Sequence, residues 1–307
     1  MTDDKSARWA QLRRILEQSE SEGMWEELCA FLDAWPEAEG LHEVLTYADE
    51  RLTYWSHDRF APWEWKRTIL TRPNPRLRLV RSFSADGIQL GGIGDEGATA
   101  IAGSPYLANV TELDLDHSAI SVSGMVALTR SPYLTKLARL NLQRNPLGPE
   151  GIMALAQSPN MAGLVFLSLT QTCAGNAGVR ALAASPYLRQ LSALHLAAND
   201  LSEEGVEALA SSAILSTIRR LELRDNAVGD TGSTTLSLSP HTQNLRTLSL
   251  QNADVEDAGV YMLVTQLPSL IALDLQCNKL TRISEIVLRD HGFERDQQAW
   301  VKPGQPT

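Results

Sequence analysis

Apolar and polar positions recur along this chain on a fixed schedule. From residue 110 onward the form apolar-x-x-Leu-x-Leu returns every 27 residues, with pairs at Leu113 and Leu115, Leu140 and Leu142, Leu167 and Leu169, Leu194 and Leu196, Leu221 and Leu223, and Leu248 and Leu250. A last pair, Leu273 and Leu275, follows after 25 residues. The leading apolar residue of each copy is Val110, Leu137, Leu164, Leu191, Ile218, Leu245 or Leu270. Alternation such as Leu140-Asn141-Leu142 predicts a short strand with one buried face, because successive side chains point to opposite sides. A small-residue helix follows in each period, as in residues 151–156 and 178–183.

Glycine keeps the same period without a slip at Gly97, Gly124, Gly151, Gly178, Gly205, Gly232 and Gly259. Units that repeat in this way cannot bury their apolar faces alone and must stack on their neighbours. A helix-interior glycine costs about 1 kcal/mol against alanine. The helix backbone is therefore expected to pass close to the strand or the adjacent unit, where a Cβ would clash. Asn145, Asn199, Asn226 and Asn278 stand three residues past the leucine pair. Their amides are expected to satisfy turn backbone groups, including those of the next unit. Ser118, Thr172 and Ala253 replace them, so the turn near Ala253 should be the loosest. Asp95, Ser202 and Asp230 suit helix N-termini, and Pro149 a first helical turn.

Helices are about 10 Å wide and paired strands about 4.8 Å apart, so the stack must curve with strands concave and helices convex. Counting a degenerate first unit within residues 83–93, eight strands make an α/β sheet about 35 to 40 Å across.

The unit LxxLxLxxN resembles the leucine-rich repeat family. Its length and small-residue helix resemble the ribonuclease-inhibitor-like class. The joints Ser104-Pro105-Tyr106-Leu107, Ser131-Pro132-Tyr133-Leu134 and Ser185-Pro186-Tyr187-Leu188, with weaker copies at Ser158-Pro159 and Ser239-Pro240, resemble bacterial members. The resemblance covers residues 76–281 and implies a curved leucine-rich repeat solenoid that serves as a binding surface. It implies no reaction, because fold does not fix function.

Residues 1–75 follow another rule. Helical stretches over 8–16, 24–35 and 41–55, broken by Pro36 and Gly40, hold six of the seven tryptophans: Trp9, Trp25, Trp35, Trp55, Trp63 and Trp65. Tryptophans so dense suit a ligand cage, or the core of an N-terminal helical cap over the first repeat, which solenoids require for solubility. Tyr47-Ala48-Asp49 resembles a motif of a helical domain that accompanies bacterial repeat proteins. Residues 282–307 read as a capping helix over 283–291, stopped by Gly292, and a flexible tail from Pro303.

Composition narrows the partner. A net charge of −10 disfavours nucleic acid and anionic membranes, leaving a protein partner with a basic or mixed surface. The chain starts without a basic, apolar signal, and Cys29, Cys173 and Cys277 lack disulfide or zinc spacing. A cytoplasmic monomer is expected.

Concave side chains are surplus to the core, so a site belongs there. One column runs Glu112, Arg139, Phe166, Ala193, Arg220; the next runs Asp114, Asn141, Ser168, His195, Glu222; a third runs from Gln89 through Asp116, Ala197 and Arg224 to Gln276. Phe166, Ala193, Ala197 and Ala198 form an apolar centre. Ser168, His195 and Glu222 have the residue types of a nucleophilic triad, yet an open sheet offers no oxyanion donors. Glu112, Asp114, Asp116 and His117 could attract a cation, yet successive acids on a strand stand about 7 Å apart. No cofactor, metal or enzymatic activity is expected. The reading is a protein-interaction scaffold with partner contacts at Glu112, Asp114, Arg139, Asn141, Phe166, Ser168, His195, Arg220, Glu222 and Arg224. The alternative is an adaptor, like GTPase activators or ubiquitin-ligase substrate receptors, recruiting an enzyme through the N-terminal helices.

Overall fold

The computed structural model describes residues 2–55, 59–88, 91–296 and 299–304. Eight three-residue strands stack in parallel and in chain order: β1 (Ser82–Ser84), β2 (Glu112–Asp114), β3 (Arg139–Asn141), β4 (Phe166–Ser168), β5 (Ala193–His195), β6 (Arg220–Glu222), β7 (Thr247–Ser249) and β8 (Ala272–Asp274). Phe83 pairs with Leu113, and the first leucine of each later pair lies beside its counterpart one unit on, so equivalent residues form straight columns. Behind them the helices pack side by side: α5 (Gly94–Gly103), α6 (Val122–Thr129), α7 (Gly148–Ala156), α8 (Gly175–Ala183), α9 (Glu203–Ala210), α10 (Gly229–Leu238) and α11 (Asp257–Gln266). Both leucines of every pair are buried between the two layers.

Three polar ladders run through this stack, and each joins one unit to its neighbour. At the turns, Asn145 Oδ1 accepts from the N–H groups of Ser118 (3.1 Å) and Ile120 (2.9 Å), while its amide nitrogen donates to Leu115 O (2.7 Å). Asn199, Asn226 and Asn278 repeat this toward residues 169–174, 196–201 and 250–255. The asparagines thus serve the preceding unit, not the following one. Ala253 itself is buried and its N–H is held by Asn278 at 3.0 Å. Its short side chain is felt one unit earlier, where Val228 N–H folds back onto Asn226 O at 3.0 Å.

On the convex side the Ser-Pro serines, with Ser212 standing before Ala213 at the equivalent place, form the second ladder. Ser131 Oγ donates to Ala102 O, Ser185 Oγ to Ala156 O and Ser212 Oγ to Ala183 O, each at 2.5 Å. These carbonyls end the preceding helices and lack intrahelical partners. Helix starts carry the third ladder. Asp95 Oδ1 accepts from Ser121 N–H (2.8 Å) and Gly124 N–H (3.0 Å), and Asp230 Oδ1 from Glu256 N–H (2.8 Å) and Gly259 N–H (3.0 Å). Each acid therefore caps the next helix rather than its own. The same contact explains the periodic glycine: a Cβ on Gly124 or Gly259 would lie 2.5 Å from the Asp95 or Asp230 oxygen. The close approach is to the neighbouring helix start and to the residue four earlier, such as Ile120 at 2.8 Å from a Cβ on Gly124, not to the strand.

The N-terminal helices are α1 (Thr2–Leu16), α2 (Glu22–Asp33), α3 (Leu41–Arg51) and the single turn α4 (Trp63–Lys66). Trp25, Trp35 and Trp65 are buried, Trp9 and Trp55 pack partly buried against the same core, and edge-on contacts join Trp9 to Trp35 (5.9 Å) and Trp25 to Trp55 (5.8 Å). Most of these indoles pack against each other; Trp63 stays exposed. Phe60 bridges to Ser82, so the cap covers the open edge of β1.

After α12 (Arg282–Asp290) the chain forms a feature absent from the sequence expectations. Strands β9 (Glu294–Asp296) and β10 (Ala299–Val301) make an antiparallel hairpin, and Trp300 pairs with Leu273 of β8. Residues 294–296 and 299–301, which precede the expected tail and had no element assigned to them, thus form a strand cap. Residues 305–307 lie outside the described residues.

Candidate functional site

Strand register brings the expected concave residues into adjoining columns. Arg139 stands between Glu112 and Phe166, and Asn141 between Asp114 and Ser168. Ser168 neighbours His195, which neighbours Glu222. Gln89 of the third column lies outside the described residues.

Three of the columns' rows differ in chemistry. On β2 and just after it each acid is engaged by the next unit: Arg139 Nε to Glu112 Oε1 at 3.2 Å, Asn141 Nδ2 to Asp114 Oδ1 at 2.9 Å, and Gln143 Nε2 to Asp116 Oδ2 at 3.1 Å. Arg144 also binds Asp116, and chiefly this contact holds its carboxyl below the usual range. Among the described residues no group of three or more potential ligands is placed to hold a metal ion.

The middle rows hold a different assembly. Arg139 lies over the Phe166 ring, 4.4 Å from its centroid, and His195 meets the same ring edge-on at 5.0 Å. Phe166 is consequently half-buried rather than freely exposed. Ala193 and Ala197, expected in the apolar centre, are buried, and the neighbouring exposed apolar side chain is Val165. His195 Nδ1 lies 3.2 Å from Glu222 Oε2, whose partner oxygen is 2.7 Å from Arg224 Nε. Burial lowers the His195 pKa, Glu222 opposes this, and Arg220, Arg224 and Arg139 reinforce it. The balance is a pKa below the ordinary 6.5, which favours the uncharged imidazole beside Phe166.

Ser168 is buried beside this pair. The neighbouring amides are consumed by the sheet: Leu169 N–H donates to His195 O at 2.9 Å and Phe166 N–H to Ala138 O at 3.0 Å. The row offers an oriented imidazole and carboxylate, but those amides are not free to stabilise an oxyanion.

Two arginines at the strand entries escaped the sequence reading. Arg219 and Arg246 are exposed where the chain enters β6 and β7, next to Arg220. They precede the leucine alternation by two residues, and the signal that marks them is their 27-residue spacing and the Arg219-Arg220 doublet. Among the described residues Arg219, Arg220 and Arg246 make no ion pair. A chain of net charge −10 thus carries a local cluster of arginines at the entries of β6 and β7, two and three strands from Phe166.

A sequence-family model described as a leucine-rich repeat matches residues 106–128, 133–156, 187–210, 215–237 and 241–264. Comparison with curated proteins gives no match. Among solved structures, an internalin from Listeria monocytogenes is similar at 19% identity and a TM-score of 0.41, over 68% of this chain and 58% of the internalin. Human 5T4, the Wnt-activated inhibitory factor 1 or trophoblast glycoprotein, is similar at 21% identity and a TM-score of 0.46, over 69% of this chain and 77% of its own.

Proposed function

The chain belongs to the leucine-rich repeat proteins, and from that premise we propose that it is a non-enzymatic scaffold docking one protein partner on its concave strand face. The observation that carries this is the Phe166 ring held between Arg139 and His195, with Arg220 two strands away across Ala193 and without an ion pair among the described residues. Pre-ordered aromatic and arginine side chains are the usual carriers of binding energy, since little rotamer freedom remains to be lost. On this reading the partner presents carboxylates beside an apolar side chain, a narrower description than the basic or mixed surface expected from net charge alone. Cys173 and Cys277 are exposed free thiols, and these support a reducing compartment such as the cytoplasm.

The test is affinity capture from native lysate with mass spectrometry, using the wild type, Phe166→Ala, and Arg220→Glu. Both variants are expected to lose the same captured protein, with far-UV circular dichroism and melting unchanged. Equal recovery by all three places the site elsewhere.

A further inference from the structure

The cap bears a surface whose chemistry is opposite to that of the concave face. Glu22, Glu26, Ala30 and Asp33 are exposed along α2, and spacing by three or four residues puts them on one helix face. Opposite lies the stretch from Phe60 to Glu64, and between them runs an open groove of about 640 Å3. Its floor is Trp25, Cys29, Trp55, Phe60 and Ala61.

That floor is already in place without an occupant. Trp25 Nε1 donates to Phe60 O at 3.0 Å, and its ring is wedged edge-on against Trp55 at 5.8 Å and Trp65 at 6.3 Å. Phe60 is 56% exposed, and Tyr54 and Trp63 nearby in the chain are exposed as well. Exposed aromatics concentrated in one short segment mark an interaction site more than a tolerated scatter.

The rim decides what kind of occupant fits. Asp33 is engaged by Trp65 Nε1 at 2.7 Å and lies 3.7 Å from Arg76. Among the described residues Glu22, Glu26 and Glu64 make no ion pair and no basic side chain lines the groove. An acidic or neutral occupant would leave these carboxylates facing like charge or losing water without compensation. A cationic one pairs with them while its apolar side chain covers the indoles. A groove of this size accepts one or two side chains, so the occupant is a short segment rather than a second folded surface.

We propose that the groove between α2 and residues 60–64 binds a short cationic segment of another protein. One aliphatic or aromatic side chain of that segment rests on Trp25, Trp55 and Phe60, and flanking lysines or arginines meet Glu22, Glu26 and Glu64. This site stands apart from the concave face and does not depend on that reading.

The probe is a fluorescein-labelled peptide of about 14 residues with leucines at helical spacing and lysines elsewhere. Its controls carry glutamate for lysine, or serine for leucine. The full chain is titrated with each peptide by fluorescence anisotropy. The leucine-lysine peptide should bind, and both controls should bind at least about tenfold more weakly. Phe60→Ser, and Glu26→Lys combined with Glu64→Lys, should each weaken it by about tenfold with the circular dichroism spectrum unchanged. Glu203→Lys with Glu204→Lys on the convex side makes the same change in net charge and should weaken it by less than about twofold. No binding, or equal losses in the two double variants, overturns the proposal, because attraction to overall charge would then be the whole effect.

Discussion

The repeats and the cap solve one problem, the satisfaction of buried polar groups, in two ways. In the repeats the solution is divided: each interface receives its own turn amide or hydroxyl, its own serine, or its own helix-start acceptor, and no group serves more than the neighbouring unit. In the cap it is concentrated. Asp49, at the end of the Tyr47-Ala48-Asp49 motif, accepts from Arg81 Nη2 at 3.1 Å and Asn109 Nδ2 at 3.3 Å, and lies 3.7 Å from Arg59 Nη1. One carboxylate thereby ties α3 to the segment entering β1 and to the joint before β2. A divided solution fails gradually and a concentrated one fails at a single position.

The sharpest way to break the comparison is Asp49→Ala. Arg59 is 2% exposed, with its Nε and Nη1 lacking hydrogen-bond partners among the described residues, and burial together with Arg81 lowers its pKa to about 10 against the pull of Asp49. Removing Asp49 leaves two guanidinium groups facing each other, and breaking a buried pair in this way costs about 3 to 5 kcal/mol. The loss should be confined to the cap. In urea the near-ultraviolet tryptophan signal should collapse ahead of the far-ultraviolet helical signal, whereas coincident transitions at the wild-type midpoint would show that Asp49 is no keystone.

Asn199→Ala is the counterpart in the repeats, with an expected loss of about 2 to 3 kcal/mol. Its amide holds Thr172 N–H and Ala174 N–H, each at 3.0 Å, and Leu169 O, all buried. The molecule also displays the fallback: opposite Ala253, where no amide reaches, Val228 N–H turns back to Asn226 O. The same turn at 172–174 would recover part of the loss, which is why this substitution ranks below Asp49→Ala. A change under about 0.5 kcal/mol in the urea midpoint would mean that the backbone fallback replaces the amide entirely.

The same contrast explains what could be read before the structure. The repeats announced themselves because stacking forces equal residues into equal environments: the leucine pairs, Asn145 and its equivalents, and Gly97 through Gly259 all recur by 27. Periodicity identifies a role without its direction. The asparagines reach backward and Asp95 reaches forward, and both are set by the handedness of the stack rather than by any residue. The strand pair 294–296 and 299–301 gave no signal, because Glu294, Arg295 and Asp296 are all exposed and β9 exists through its pairing with β10. Ten concave residues were located by alternation alone, yet the half-burial of Phe166 depends on Arg139 and His195 in adjacent strands, and Arg219 and Arg246 lie outside the alternation. In the cap, with no repeat to average over, helices were visible as amphipathic stretches while the Asp49 junction and the groove beside α2 were not.

The smallest effect probes the helix-start ladder of the repeats by pH. Asp95 is partly buried, which by itself opposes ionisation, but hydrogen bonds from Ser121 Oγ, Ser121 N–H and Gly124 N–H outweigh this and hold its carboxyl below the ordinary 3.8. Asp257 is likewise held low, first by Ser284 and then by Thr281. A carboxylate whose pKa is depressed on folding stabilises the fold above its unfolded value and loses that contribution as pH falls through the folded value. Asp95→Asn with Asp257→Asn should therefore lower the urea midpoint at pH 7, and the gap from the wild type should close as the pH is taken below about 3.8. Both sites are solvent-accessible, so the gap is small and shrinks further in salt. In Asn176 the molecule already uses the neutral form, its Oδ1 accepting from Ser202 N–H at 3.0 Å and its Nδ2 donating to Ser202 Oγ at 2.7 Å. The amide is thus compatible with this position, and a gap that stayed constant from pH 7 to pH 2.5 would mean that geometry rather than charge sets the strength of the helix-start ladder.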